Sequence, residues 1–455
     1  MLVRLLALVL VLASGACRCG KEAEPVAARA TEPPDSTAEG GLPFIRDDYD
    51  RALALARERK LPLFVDAWAP WCHSCLSMER TVFPDPRLRP MADRFVWLSL
   101  NTEKEESVAF LQKFPQTVWP TFTILDPESE RPLARSLGSL TVDELLGLLG
   151  DALRAAAAEA PRPDALLAEA DRLHAEGEFE KAVAKFEEAL SEAGEDWPSR
   201  PRAVLGLLAA QRFGVGDFEA CEKTALREIS KLARSASWAK VADLGLRCAV
   251  ERAGPRATAA RTMKAFVREA IDAKEIEMSA DDRSDLYDTL VYGLHLLGDH
   301  EEAKETTREW LEFLEQEAAR TNDASVRAIF DSHRLFAARQ LNMPERVLDA
   351  LLASEHADPD DYNPPARLAE VYLRLGRLDE ALAACNRALE KVYGPRKARV
   401  LNLQGEIFRA RGEYQKARMA HEAALIVNGR LPEVQQSGRE VFRAQKGLLE
   451  LEKLR

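Results

Sequence analysis

The sequence lacks an excess of positive charge. Its 455 residues carry 63 lysine and arginine side chains against 75 aspartate and glutamate side chains, a formal net charge of −12. Because affinity for nucleic acids comes mainly from basic side chains that neutralise phosphates, this balance excludes DNA and RNA as partners. Charged residues at 30% and apolar residues at 46% also exclude a wholly disordered chain and a protein that crosses a membrane many times.

Cysteine is scarce, and several common catalytic motifs are missing. Seven cysteines are too few to build a chain of this length from disulfides. The sequence contains no phosphate-cradling glycine loop, no serine-hydrolase elbow and no dinucleotide fingerprint. Six histidines are scattered without the spacing of metal ligands: His174, His295, His300, His333, His356 and His421. We therefore predict no metal ion and no bound cofactor.

An apolar run stands at the N-terminus and is too short to span a bilayer. It extends from Leu5 to Ala13, and small residues directly precede Cys17. This arrangement predicts a signal peptide over residues 1–16 and resembles the signal of bacterial lipoproteins, in which the cysteine is acylated. The resemblance implies lipidation of Cys17. Ordinary secretion with cleavage near Ala16 is the alternative, because Ser14 stands where leucine is usual.

Residues 17–41 are rich in alanine, glutamate, proline and serine and are predicted to form a flexible tether. Arg18 occupies the position where aspartate would resemble an inner-membrane retention signal, which favours the outer membrane. We therefore expect a protein of the bacterial cell envelope that faces the periplasm and is held to the membrane by a lipid.

A strand, a turn and a helix are predicted around two closely spaced cysteines. Leu61 to Trp68 form an apolar run typical of a strand buried on both faces, and a helical pattern runs from Cys72 to Arg80. Cys72 thereby lies at a helix N-terminus, where free N–H groups and the helix dipole stabilise an anion. We expect Cys72 to be the exposed, nucleophilic thiolate and Cys75 to resolve the mixed disulfide.

These residues resemble the active-site strand and helix of the thioredoxin superfamily. The resemblance runs from Val65 to Cys75 and returns at Val118 to Ile124, where that family has a strand opened by a cis-proline. Met78 to Pro86 also match the segment after the cysteines in the C-terminal domain of transmembrane thiol–disulfide interchange reductases. The resemblance implies an α/β thioredoxin-like domain over residues 42–156.

The resemblance also implies roles for individual residues. Cys72 would be the attacking thiol, Cys75 the resolving thiol, and Pro120 the cis residue against which a substrate strand docks. Asp66 matches a buried carboxylate whose raised pKa would let it move a proton to or from Cys75. Trp71 would wall the site. The alternatives are an exposed Asp66 at the strand end and a zinc site, which would need a second pair of ligands that this domain lacks.

Two residues depart from the family pattern. Trp119 replaces the smaller aliphatic residue usual before the cis-proline, so it is either a substrate contact or core filler. His73 follows the nucleophile directly. Its imidazolium would stabilise the Cys72 thiolate and make the disulfide more oxidising, unless the ring is simply solvated. The direction of electron flow therefore stays open.

The second half of the chain carries only helical patterns, and they repeat. The clearest unit spans Leu401 to Leu425 and resembles the tetratricopeptide repeat. Turns of this and related units are predicted at Gly177, Gly216, Gly254, Gly298, Asn342, Gly376 and Gly412. We expect an all-α superhelix over residues 164–430, closed by a capping helix at 431–455. Such a superhelix offers its concave face to a peptide or to a helix of a protein partner.

The three cysteines of the second half occupy packing positions. They are Cys221, Cys248 and Cys385, and such positions favour core residues over ligands or nucleophiles. Cys221 and Cys248 lie on helices that should be neighbours, so a disulfide between them is left open.

Together these expectations describe an envelope thiol–disulfide oxidoreductase whose repeat array recruits protein clients. Thiol or disulfide proteins would be its partners, an upstream membrane reductase could exchange electrons with it, and the redox-active disulfide would take the place of a cofactor. The alternative is a non-catalytic envelope scaffold in which the array binds partners. The intact Cys72, Cys75, Asp66 and Pro120 argue against that alternative.

Overall fold

A computed structural model describes residues 41–157, 161–253 and 258–454. The signal peptide, Cys17 and the tether up to residue 40 lie outside these ranges, and so does the predicted turn at Gly254. The expectations for them stay predictions. Within the three ranges, no helix combines the length and the apolar character needed to cross a membrane.

The first domain is built on a five-stranded mixed sheet. Its strands follow the order β1-β3-β2-β4-β5, in which β1, β3 and β2 run parallel while β4 and β5 are antiparallel to their neighbours. The strands are β1 Phe44–Arg46, β2 Leu63–Trp68, β3 Val96–Asn101, β4 Thr121–Leu125 and β5 Pro132–Leu137. The central strand β2 is buried from Leu63 to Ala67, as its apolar run predicts.

Helices cover both faces of this sheet. They are α1 Tyr49–Arg59, α2 His73–Ser77, α3 Val108–Lys113 and α4 Val142–Ala156. Side chains of β2 alternate between the faces, so Leu63 and Val65 pack with α1 and α3, whereas Phe64 packs with α4. By the same alternation, Asp66 shares the face of Phe64.

Sixteen helices follow in the described part of the chain, and consecutive helices pack in pairs. They are α5 Arg162–Ala175, α6 Phe179–Glu192, α7 Arg200–Ala209, α8 Phe218–Ile229, α9 Ala236–Ala253, α10 Thr258–Asp272, α11 Ala280–Leu297, α12 His300–Ala319, α13 Ala324–Ala328, α14 Asp331–Gln340, α15 Leu348–Ala357, α16 Asn363–Arg374, α17 Leu378–Lys391, α18 Gly394–Ala410, α19 Tyr414–Arg430 and α20 Gly438–Glu452. One apolar core runs through most of them, from Leu167 in α5 to Ile407 in α18.

The predicted inter-helix turns are confirmed at six positions. All six adopt a positive φ between 55° and 85°, a conformation that glycine and, less easily, asparagine can take. The positions are Gly177, Gly216, Gly298, Asn342, Gly376 and Gly412. The self-similarity of the sequence therefore marks real helix–turn–helix units.

The array packs against the sheet domain at several points. Lys240 in α9 forms an ion pair with Glu144 in α4 at 2.9 Å. Near the other end of the array, the side chain of Gln435 donates a hydrogen bond to the carbonyl oxygen of Thr102 at 2.9 Å. The array therefore contacts the first domain of the same chain at points far apart in the sequence.

Helix α5 belongs to the packing of both domains. Asp171 in α5 accepts a hydrogen bond from the backbone N–H of Arg135 in β5 at 3.1 Å. Ala175 is fully buried in the apolar cluster that contains α1 and α3. The predicted limits at residues 156 and 164 separate two sequence patterns, while the packing runs across them.

A second disulfide lies inside the array. It joins Cys221 in α8 to Cys248 in α9, with Cα atoms 6.0 Å apart, and both residues are fully buried. Cys385 is a buried free thiol whose pKa burial raises to about 12. A thiol with so high a pKa is not a nucleophile at neutral pH. All three cysteines are core residues, as their positions predict.

Candidate active site

Cys72 and Cys75 lie where β2 ends and α2 begins. Cys72 is the N-cap of α2, and its sulfur accepts a hydrogen bond from the backbone N–H of Cys75 at 3.0 Å. The two sulfurs form a disulfide with Cα atoms 5.2 Å apart. A thiolate at Cys72 would therefore meet an N–H donor and the positive end of the helix, as the sequence predicts.

The nucleophile expected to be exposed is buried. Cys72 retains 3% of its exposure and Cys75 retains 4%. Both pack in an apolar cluster with Trp71 and Trp119, and α11 of the array lies against α2. This difference from the expectation has a physical cause, because indole rings and array helices fill space that an isolated domain would leave to solvent.

Two tryptophans flank the disulfide. The Trp119–Pro120 peptide bond is cis, as the family resemblance implies, and the ring centroids of Trp71 and Trp119 lie 5.4 Å apart. Trp119 Nε1 donates a hydrogen bond to Thr102 Oγ1 at 2.8 Å. Both rings also line cavities beside the disulfide. The Trp119 ring thus lies beside the disulfide and lines both cavities.

Asp66 is buried within β2, with 6% of its surface exposed. Its Oδ1 atom has no hydrogen-bond partner among the described residues. Burial raises the pKa of Asp66 well above its usual range, the charge of Glu79 adds to the rise, and Arg46 opposes it. A raised pKa is the property that the predicted proton relay requires.

His73 points toward the array. Its Nδ1 atom lies 2.9 Å from Asp281 and its Nε2 atom 3.6 Å from Asp285, both in α11. Burial disfavours the imidazolium, but the charges of Asp281 and Asp285 and the hydrogen bond to Asp281 outweigh it and raise the pKa of His73 to about 10. The ring is therefore not simply solvated. The His73 side chain lies against two aspartates of the array, which favour its charged form.

Glu103 connects the array to Trp71. It accepts hydrogen bonds from Trp71 Nε1 at 2.8 Å and from the hydroxyl of Tyr362 at 2.7 Å, and it pairs with Arg396 at 3.3 Å. Burial raises the pKa of Glu103, while these three partners oppose the rise. The Arg396 guanidinium also lies 4.0 Å from the centroid of the Trp71 ring. Two array residues thus hold a ring beside the disulfide.

Cavities open on both sides of the tryptophan pair. One of about 370 Å³ is lined by Trp71, Trp119, Arg396 and Arg399 among others. The other, of about 440 Å³, lies between the cis-proline loop with Ser74 and helices α7, α9 and α11. Both volumes suit a small molecule or a short peptide segment. They provide space next to the residues that cover the disulfide.

Sequence reasoning missed the array side of this site. It missed the array residues Asp281, Asp285, Tyr362 and Arg396, and in the first domain it missed Glu103, which binds two of them. Glu103 and Tyr362, for example, are 259 residues apart in the chain. No spacing within the sequence signals such a contact, because it depends on how many helices stack between the two residues.

Comparisons with known proteins match both halves of the molecule. Residues 45–127 match the thioredoxin-like family model, and residues 362–425 match the tetratricopeptide repeat model. The chain is 32% identical over 95 residues to the thiol:disulfide interchange protein DsbD of Salmonella typhi, which is 20% of this chain and 16% of that protein. It is 29% identical over 128 residues to DsbD of Cronobacter sakazakii, 27% of this chain and 22% of that protein.

The chain therefore spans less than a quarter of the length of these curated relatives. Among solved structures, a tetratricopeptide repeat protein from Parabacteroides merdae covers 64% of this chain and 98% of its own length, with 12% identity and a TM-score of 0.42.

The family models, the sheet and the paired helices establish the fold class that the sequence predicts. A thioredoxin-like α/β domain is followed by an all-α tetratricopeptide repeat domain. A Cys72–Cys75 pair in such a domain indicates a thiol–disulfide redox role, and the repeats indicate protein binding, both at the level of the families.

Proposed function

We propose that this chain, which joins a thioredoxin-like domain to a tetratricopeptide repeat domain, is a thiol–disulfide oxidoreductase of the bacterial cell envelope. One observation carries the proposal: Cys72 is the N-cap of α2, is bonded to Cys75 and lies beside the cis bond that precedes Pro120. This arrangement supplies a stabilised nucleophile, a second thiol within reach and a docking edge for a substrate strand.

In the reducing direction the exchange has two steps. The Cys72 thiolate attacks one sulfur of a client disulfide, so a Cys72–client bond forms and the other client sulfur leaves as a thiolate. The Cys75 thiolate then attacks Cys72 Sγ, which closes the Cys72–Cys75 disulfide and releases the first client sulfur. The client gains two electrons and takes up two protons. Asp66 is the group proposed to exchange a proton with Cys75.

The oxidised pair then needs a source of electrons. We propose a dithiol presented by a membrane reductase, which attacks the Cys72–Cys75 disulfide and becomes a disulfide itself. In the opposite direction the same two steps run in reverse, and a client dithiol is oxidised.

The array is proposed to recruit protein clients and to restrict access. A client must pass Trp71, His73 and Trp119, because Cys72 is only 3% exposed. An extended segment that carries one cysteine suits the two cavities better than a folded surface does. A client bound to the array would meet Cys72 at a high effective concentration without any new catalytic contact.

Single serine variants of the full chain test the chemistry. Cys72→Ser should abolish reduction of insulin disulfides, and Cys75→Ser should accumulate mixed disulfides with clients, because it can attack but cannot resolve. Cys385→Ser is the matched control, since that thiol is buried in the array and should leave both assays unchanged. Equal trapping by the Cys72 and Cys75 variants would contradict the assigned roles.

We further propose that a lipid on Cys17 anchors the mature chain, with the outer membrane favoured over the inner. Mass spectrometry of the protein from membranes should find an acylated N-terminal Cys17, and Cys17→Ala should yield an unprocessed or soluble species. Cys19→Ala is the control and should keep the acyl chains. A mature form that begins at another residue would refute the anchor.

A non-catalytic scaffold is the second candidate, and one observation favours it. Helices α19 and α20 leave more than half of four large apolar side chains in solvent, a feature of interaction surfaces. They are Met419, Ile426, Phe442 and Leu449. If the protein is a scaffold, a variant without Cys72 and Cys75 should restore the wild-type phenotype to a deletion strain, and Phe442→Glu should not. If it is an oxidoreductase, complementation should require both cysteines.

A further inference from the structure

Four side chains meet where α2 contacts the array. His73 begins α2, Asp281 and Asp285 lie one turn apart in α11, and His333 lies in α14. His73, Asp281 and His333 can each present one ligand atom such that the three atoms lie within 4.8 Å of one another. The ring centroids of His73 and His333 are 4.0 Å apart. His73, which lies between the two cysteines, and His333 of the array are therefore close together and next to two aspartates.

Asp285 places one carboxylate oxygen near both rings. Its Oδ1 atom is 3.6 Å from His73 Nε2 and 3.5 Å from His333 Nε2. In a tetrahedral zinc site with bonds of about 2.0–2.1 Å, neighbouring ligand atoms are about 3.4 Å apart. The two separations from Asp285 therefore agree with those around a zinc ion to within a few tenths of an ångström.

The other nitrogen of each ring has a partner that can hold the ligating tautomer. His73 Nδ1 lies 2.9 Å from the carboxylate of Asp281. His333 Nδ1 lies 2.6 Å from Ser284 Oγ, to which Trp310 Nε1 donates at 2.7 Å. The serine oxygen has two lone pairs and can accept from both donors. Metal-bound histidines typically donate their second N–H to a carboxylate or another oxygen in this way.

The donor set selects a class of ion. Two imidazoles and one carboxylate suit zinc and related first-row ions, whereas Mg²⁺ and Ca²⁺ prefer oxygen ligands. Three protein ligands leave one coordination position for water or another ligand. Asp285 and Ser74 both line the cavity of about 440 Å³, which gives such a ligand a route to the site.

We propose that His73, Asp285 and His333 bind a divalent transition-metal ion of the zinc class, and that Asp281 and Ser284 orient the two imidazoles. The ion would join α2 to α11 and α14 and would hold the array over the disulfide. None of the ligands is a cysteine, so Zn²⁺ binding can be measured without turnover of the Cys72–Cys75 pair. A chain that binds Zn²⁺ but does not exchange disulfides, or the reverse, distinguishes failure of one proposal from failure of the other.

Zn²⁺ binding to the full chain tests the site. Equilibrium dialysis is done with the Cys72–Cys75 disulfide oxidised, so that those thiols cannot bind the ion. We expect one Zn²⁺ per chain and a loss of affinity of more than about 100-fold in both His333→Ala and Asp285→Asn. Asp285→Asn keeps the shape of a partly exposed side chain, so the test survives if His333→Ala does not fold. Asp281→Asn should lower affinity about 10-fold.

His295→Ala is the matched control. His295 lies in the same helix as Asp285, and its Nδ1 atom is 3.4 Å from that of His300 at the surface. This variant should bind Zn²⁺ as the wild type does. Co²⁺ in the site should give visible d–d absorption without a thiolate charge-transfer band. The proposal is overturned if the wild type binds no Zn²⁺, if His333→Ala and Asp285→Asn bind it equally well, or if His295→Ala alone loses it.

Discussion

The two disulfides of this protein lie in contrasting surroundings, one in each half of the molecule. The Cys72–Cys75 bond lies at the beginning of a helix, next to the ionisable His73 and beside two tryptophans. The Cys221–Cys248 bond joins two helices inside the apolar core of the array. Both pairs are buried, so burial does not separate them. What separates them is whether nearby groups can stabilise a thiolate and whether a cavity leads toward it.

The two halves also differ in how far apart in the sequence their contributions to the site lie. The thioredoxin-like half supplies its chemistry within one strand, one turn and one helix, whereas the array supplies contacts from helices far apart in the chain. Asp281 meets His73 across 208 residues, and Tyr362 meets Glu103 across 259. The candidate redox groups are therefore close together in the sequence. The residues that cover the disulfide and set the charge around His73 come from distant parts of the chain.

The largest predicted effect distinguishes the two disulfides. The array bond closes a loop with a sequence separation of 27, against 3 for the active-site bond. Because loop-closure entropy grows with loop length, Cys221→Ala with Cys248→Ala should lower the free energy of unfolding by about 3–4 kcal/mol, and Cys72→Ala with Cys75→Ala by about 2 kcal/mol. Urea denaturation without reductant measures both.

Activity should change in the opposite order. The Cys221/Cys248 variant should reduce insulin disulfides at the wild-type rate under conditions where it is folded, and the Cys72/Cys75 variant should not reduce them at all. If the folded Cys221/Cys248 variant lost activity, the array disulfide would take part in electron transfer, and the contrast between the two bonds would be wrong.

The next effect separates array contacts from chemistry. Gly394 begins α18 with a φ of +54°, and a Cβ atom there would lie 2.2 Å from the backbone oxygen of Glu103. A backbone oxygen cannot rotate away, so Gly394→Ala should push α18 from the first domain and loosen Trp71. We expect the free energy of unfolding to fall by about 3 kcal/mol. The reduced Cys72 thiol should react faster with iodoacetamide.

Gly412→Ala is the control for that variant. Gly412 also has a positive φ, +76°, but a Cβ atom there meets nothing within 4 Å. The change should lower the free energy of unfolding by only about 1–2 kcal/mol, from backbone strain alone. Alkylation of Cys72 should stay at the wild-type rate. Equal alkylation in the two glycine variants would show that α18 does not control access.

The smallest expected effect on stability is that of Asp66→Asn. Because burial raises its native pKa above the unfolded-state value, the native chain retains a proton that the unfolded chain has released. The free energy of unfolding therefore falls as the pH rises from the unfolded-state pKa through the native one. Asp66→Asn keeps the shape and removes this titration. The variant should match the wild type in acid and exceed its stability above the native pKa.

Urea denaturation over a series of pH values measures this difference, and thiol exchange should slow in the same variant. A stability difference that stays constant with pH would mean that Asp66 keeps its usual pKa in the native state. It would then act through packing and not through a proton.

Local sequence patterns correctly predicted several features of this structure. Cys72 was expected at a helix N-terminus and caps α2, and Pro120 was expected to follow a cis bond and does. Six predicted turns adopt the positive φ that their glycines and one asparagine permit. The prediction that Cys72 is exposed was wrong, because it considered the first domain without the helices that pack against it. The array covers that surface.

The sequence by itself determined the thioredoxin-like domain, the helical repeats and the position of the Cys72–Cys75 pair at the start of a helix. Each of these depends on interactions between residues close in the chain: hydrophobic periodicity, capping and turn conformation. Only the tertiary structure decided that two aspartates meet His73, that Tyr362 and Arg396 hold Glu103, and that the disulfide is covered. These contacts depend on the curvature of the array. That curvature results from small rotations between successive helix pairs, so no single sequence motif predicts it.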